Sequence, residues 1–174
     1  MQANEVLIDA FERVRGDVHG AVEGLDADAL AHRLDPEANS IVWLVWHLTR
    51  VMDDHVADLA GAEQVWTAAG WAERLALPVD AASIGYGQSS ADVAAIGAAG
   101  VGADDLLGYH DAVVTMTLEY LRGVGDADLD EVIDERWDPP VTRGVRLVSV
   151  VNDTTQHAGQ AAFAAGVVSR LRSA

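Results

Sequence analysis

Near the C-terminus, an aspartate and a histidine stand four residues apart in a helical pattern: Asp153 and His157. At 100° per residue, Arg146, Val150, Asp153, His157, Ala161, Ala164 and Val168 fall in one narrow stripe. Most of that stripe is small or apolar, as a core-facing surface should be. A spacing of four places the two polar side chains about 6 Å apart on one face, close enough to chelate one cation. Buried unpaired charge is costly, so an inward acid and histidine need a partner. A divalent metal is one such partner; an Asp–His hydrogen bond is the plainer one. A third ligand must come from another helix, and histidine is the natural type. The candidates are His19, His32, His47, His55 and His110. His47 lies beside Leu44 and Val51, yet periodicity puts His55 nearer the centre of the same apolar face. Spacing leaves that choice open.

Other polar residues rank below these. Arg143 and Arg146 enter the same C-terminal helix, where they can receive a carboxylate or sugar-phosphate-like group, or pair with one of many acids. Arg50 and Asp54 lie one to two turns beyond His47, where they can orient it or line a pocket. Gln160 follows His157 by three residues, which suits a supporting hydrogen bond. Trp43, Trp46, Trp66 and Trp71 read as core or dimer contacts, His110 with Tyr109 as a further pocket candidate, and His19 and His32 as surface residues. The run Gly85-Tyr86-Gly87 is not a phosphate loop, because no strand precedes it and no Gly-Lys-Ser/Thr follows.

Four long helical patterns must position these groups. The first, about residues 3–24, carries Leu7, Phe11, Val14, Val18, Val22 and Leu25 at spacings of three and four. The second starts at Ile41 with Ser40 as N-cap and runs to about Leu59. Its opening, Ile41 to Trp46, is apolar all round, so it must be buried inside a bundle or against another subunit. The third spans about Asp104–Leu121. The fourth follows Pro139-Pro140, with Thr142 as cap, and reaches about Leu171. Residues 131–137 suit a short extended piece, and Ser89 or Ser90 suits the cap of a short helix over Asp92–Ala99. The fold class is therefore all-α, a four-helix bundle in a single domain over residues 1–174. The connection between helices two and three, 61–103, is far longer than the other two, which predicts a crossover rather than up-down-up-down order.

Composition narrows the function classes. The 174 residues hold 28 acids against 11 bases, all of them arginine, for a formal charge of −17. Such a surface repels phosphate backbones and anionic lipid, which argues against nucleic acid and membranes as partners. No apolar run approaches the roughly 20 residues of a membrane span, and the first residues lack a signal-peptide pattern. The expected location is the cytoplasm. The absence of cysteine removes disulfides, thiolate ligands and thiol nucleophiles.

The run Asn39-Ser40-Ile41-Val42-Trp43-Leu44-Val45-Trp46-His47-Leu48, with Asp53-Asp54-His55 after it, resembles the DinB-like superfamily of four-helix metalloproteins. So does Asn152-Asp153-Thr154-Thr155-Gln156-His157-Ala158-Gly159-Gln160. Between them, Gln64-Val65-Trp66, Gly70-Trp71, Gly85-Tyr86-Gly87 and Glu135-Arg136-Trp137-Asp138-Pro139-Pro140 resemble the actinobacterial mycothiol S-transferase branch. The resemblance covers essentially the whole chain. It implies a metal held by His47 and His157, with Asp153 standing where the family usually has a middle histidine. Related mycothiol-dependent maleylpyruvate isomerases carry a glutamate there, so a carboxylate is compatible with zinc; nickel, iron and manganese are the other ions to consider. It further implies a detoxifying transferase that activates a low-molecular-weight thiol such as mycothiol for attack on an electrophile. A zinc-dependent hydrolase, a thiol-dependent isomerase and a non-catalytic metal- or small-molecule-binding dimer are the competing readings. The family's habit and the apolar opening of helix two suggest a homodimer.

Overall fold

An apolar residue every three or four positions winds Ala3–Val22 into α1 and buries Leu7, Phe11, Val14, Val18 and Val22 along one side. The computed structural model describes residues 2–173. Asp26 accepts the Ala29 amide and starts the short α2, Ala27–Ala31. Ser40 Oγ accepts the Trp43 amide and opens α3, Ile41–Ala60, which Gly61 ends in a left-handed turn. The long connection then carries α4 (Val65–Ala68), α5 (Trp71–Leu75) and α6 (Ser90–Ala98), the last capped by Ser89. After α7 (Ala103–Arg122) and α8 (Asp126–Leu129), β1 (Val132–Asp134) pairs antiparallel with β2 (Val141–Thr142). Thr142 Oγ1 accepts the Val145 amide as α9, Arg143–Ser173, begins.

Four of these helices are long, and they form the bundle. α1 and α3 each pack on both α7 and α9, so they sit on one diagonal of the square. Asn4 bonds the carbonyl of Leu121 and Arg15 reaches Asp111, which sets α1 antiparallel to α7. Arg143 donates to the Leu59 carbonyl and to Tyr120 Oη, bringing the C-terminal ends of α3 and α7 together at the start of α9. α3 and α7 are therefore parallel. A 20-residue helix is about 30 Å long, so the chain between two parallel neighbours must travel back that full length. That geometry is why residues 61–102 are a crossover and not a turn.

The crossover also explains α3. Ile41 to Asp53 is buried almost without interruption. Trp66, Leu75, Leu77, Val93 and Ile96 of the crossover belong to the same core as the α3 side chains. The apolar surface that sequence alone could assign to a partner subunit is covered by the chain itself. A second difference lies in α9. Its core line runs through Leu147, Val150, Thr154, Ala158, Ala161, Ala164 and Val168, so the face is turned from the expected stripe at the level of Asp153 and His157. Those two flank the core, half-buried, beside α3. Thr154 can face inward because its hydroxyl bonds back to the Val150 carbonyl at 2.8 Å.

Candidate metal centre

His47 sits two turns into α3 and is almost wholly enclosed, at 2% exposure. Trp43, one turn earlier, stacks on its ring with centroids 4.6 Å apart. The crossover closes the other side. Ile84 offers its carbonyl to His47 Nδ1, and Gly85 lies so close that a Cβ there would stand 2.5 Å from Nδ1. Gly85 and Gly87 have φ of 99° and 74°, conformations that glycine adopts without strain. The Gly-Tyr-Gly run thus lets backbone touch the imidazole and swings Tyr86 over it, edge-on at 5.2 Å.

From α9, Asp153 and His157 meet the same point. His157 Nε2 is 3.8 Å from Asp153 Oδ1, and the His47 and His157 rings lie 4.9 Å apart. One ligand atom from each of the three residues lies within 4.8 Å of the others. His157 Nδ1 donates to Gln160 Oε1 at 2.9 Å. A carbonyl only accepts, so in the neutral form of each ring the proton sits on Nδ1 and Nε2 is left bare. Acceptors of this kind behind the ring are what orient metal-binding imidazoles. Burial, and then His157 nearby, hold His47 below the usual histidine range, against the pull of the Ile84 carbonyl. The neutral ring is the form a metal needs.

The carboxylate supplies the strongest sign of fit. Asp153 Oδ2 is buried and has no hydrogen-bond partner among the described residues, while Oδ1 has the Tyr86 hydroxyl at 3.5 Å. An orphaned carboxylate oxygen is destabilising unless a cation or donor reaches it. Two lone-pair nitrogens and one such oxygen match the N/O ligand sets that zinc accepts, with one position left for a small molecule. Among the described residues no cation lies within bonding distance of that oxygen. The residues present fit a divalent metal.

A sequence profile described as mycothiol S-transferase matches residues 6–165. The chain belongs to this family. The match spans α1 through most of α9 and encloses all three candidate ligands. No protein of curated function matches the sequence. Among solved structures, the chain is similar to one described as the conserved protein of locus from Enterococcus faecalis. That similarity is 28% identity over 97% of this chain and 98% of the other, with a TM-score of 0.87.

The remaining polar candidates of this S-transferase family member are scattered. His55 is outside the triad; its Nδ1 receives a hydrogen bond from Arg146 at 3.2 Å. Arg50 is fully buried and spends its donors on the carbonyls of Ser83 and Ala81, on Asp53 and on Tyr109. It steadies the loop just before Ile84 and does not line the site. Asp54 accepts from Gln64 at 2.7 Å, away from His47. Arg143 is tied to Leu59, Tyr120 and Glu131 at the far end of the bundle, where it closes the helix ends. His110 is fully buried, with its Nδ1 3.0 Å from Thr49 Oγ1. Arg146 and Gln160 alone of the five ligand-binding candidates stay near the triad. Sequence reasoning missed Tyr86 and the Ile84 carbonyl. The signal for both was the glycine pair, which marks backbone held against something close.

Proposed function

We propose that the protein is a metal-dependent thiol S-transferase, with zinc the favoured ion. It joins a low-molecular-weight thiol such as mycothiol to the electrophilic carbon of a small molecule. One observation carries this reading: in a member of the mycothiol S-transferase family, two bare Nε2 atoms and an orphaned carboxylate oxygen converge beside an open cavity. A divalent ion bound there supplies Lewis acidity and keeps a thiol deprotonated at neutral pH.

The chain's own groups bind and orient. His47 and His157 bind through Nε2, held by Ile84 and Gln160 respectively. Asp153 offsets part of the ion's charge. The Trp43 ring backs His47 on its buried side, and Tyr86 lies edge-on to it at the cavity. With no cysteine in the chain, the nucleophilic sulfur belongs to the cosubstrate. A sulfur–carbon bond forms, the thiol proton passes to solvent, and any leaving group departs with its bonding pair. The core shared by all four long helices supports treating the chain as one domain.

The test is zinc-loaded protein with mycothiol and 1-chloro-2,4-dinitrobenzene or a bromobimane, following thiol loss. The expected result is zinc-stimulated thiol consumption that His47→Ala abolishes. Absence of turnover with every low-molecular-weight thiol overturns the reading. Turnover without net thiol loss replaces transfer by isomerisation.

A further inference from the structure

We propose that Arg146 and His55 form a subsite for the carboxylate of an apolar small molecule whose carbon body lies against Trp137. The inference rests on the triad being the reacting centre only in calling that molecule a substrate. Two cavities of about 250 and 460 Å³ adjoin and share His55, Arg146 and Ser149. The smaller also contains Asp153 and Tyr86, so it opens on the triad. The larger is walled by Trp137, Val141 and Val145.

Arg146 is the cation between them. Its Nη1 donates to His55 Nδ1 at 3.2 Å. Arginine stays charged and never accepts, so the imidazole nitrogen accepts and the ring carries its proton on Nε2. Burial, with Arg146 second, holds His55 below the usual histidine range, which keeps the ring neutral. Among the described residues nothing hydrogen-bonds to that Nε2. The carboxylate nearest to the guanidinium is Asp134, 3.6 Å from Nη2. Asp134 is already forked onto Arg136 through two bonds of 2.8 Å. Arg146 is thus ion-paired with Asp134 only beyond hydrogen-bond length, and that carboxylate is shared with Arg136; Asp54 lies 3.7 Å from His55 Nδ1.

A guanidinium edge is all donors, and its complement is a planar, acceptor-only carboxylate; His55, whose Nε2–H points away from Arg146, holds the guanidinium in place. Asp134 on one side and Asp153 on the other disfavour a second negative charge, which points to a monocarboxylate. Trp137 is 64% exposed and Val145 52%, so an aryl or alkenyl body has a flat apolar wall to cover. The flat apolar wall suits the carbon body of the electrophile better than a hydrophilic thiol cosubstrate.

The experiment titrates zinc-loaded protein with trans-cinnamate and with neutral cinnamamide. Affinity is read by calorimetry, and the His55 ring by NMR. Cinnamate is expected to bind at least tenfold tighter than the amide and to move the His55 resonances. Arg146→Gln should erase the preference while zinc content and melting stay as in the wild type. His55→Gln should weaken cinnamate several-fold as an independent check. A carboxylate could also ligate the ion, so the titration is repeated after chelation, and cinnamate affinity should change less than twofold. Equal binding of acid and amide, survival of the preference in Arg146→Gln, or its loss on zinc removal each overturns the subsite. None of these readouts uses turnover, so failure of the transferase reading leaves them unmoved.

Discussion

Asp53 on α3 and Asp153 on α9 are both carboxylates at the interior of the bundle, and their surroundings differ in kind. Asp53 Oδ1 accepts the Val65 amide at 2.8 Å. Its Oδ2 accepts the Trp66 amide at 2.8 Å and the Tyr109 hydroxyl at 2.9 Å, with Arg50 Nη1 at 3.4 Å. Burial pushes this carboxyl up, and the amides, Tyr109 and Arg50 pull it back. Asp153 has one buried oxygen with nothing on it and the other at 3.5 Å from a hydroxyl. The first cluster is complete within the chain, and what it fixes is the crossover's start. The second leaves an oxygen open. A polar cluster that satisfies itself belongs to the fold, whereas one left open has room for a donor or cation from outside.

The largest effect expected of this contrast is at Asp53. Asp53→Ala strands the fully buried Arg50 and two amides, and should cost about 3–5 kcal/mol in denaturant unfolding of metal-free protein. A loss below 1 kcal/mol would remove the distinction. Next comes metal. Zinc at about 100 times its Kd should raise wild-type stability by about 2.7 kcal/mol, and should do so in none of His47→Ala, Asp153→Ala or His157→Ala. Equal stabilisation of all four proteins would place the ion elsewhere.

His110 sharpens the comparison with a buried group that is orphaned but neutral. Its Nε2 has no partner, and burial takes its pKa down to about 3. The unfolded chain binds this proton below about 6.5 and the folded one only near 3. Its contribution is therefore fully present above about pH 6.5 and is lost as pH falls towards 3, by up to about 1.4 kcal/mol per pH unit. His110→Gln should flatten the acid limb of the stability curve by that slope; an unchanged slope would show that the ring is protonated in the folded state. The smallest effect has the opposite sign to the first. In metal-free protein, Asp153→Asn should leave stability unchanged or raise it by about 1 kcal/mol, because it removes an unpaired charge. A clear loss there would mean that Asp153 is already satisfied within the chain.

Much of this was legible from sequence because helical periodicity is local. The apolar spacing of α1, the Ser40 cap, the length of the 61–102 connection and the extended piece before α9 all reappear close to where the pattern puts them. The minor helices α2, α4, α5 and α8 did not register, since four or five residues are too few to show a period. The α9 stripe was misjudged by a fraction of a turn, because Thr154 and Ala158 are small enough to face the core and leave Asp153 and His157 at its margin.

By itself, the sequence determined that an acid and a histidine share one helix face and that any thiol must come from outside. The i, i+4 geometry of a helix and the absence of cysteine require nothing more. It could not choose between His47 and His55, which lie about two turns apart on one helix and both face α9. Only tertiary structure shows which of them lies beside Asp153 and His157, through the antiparallel register that sets His47 against His157 and His55 against Arg146. Register between packed helices depends on every side chain along the seam and on a crossover folded against it. The same packing delivered Tyr86 and the Ile84 carbonyl from some 40 residues away, and left one oxygen of Asp153 without a partner.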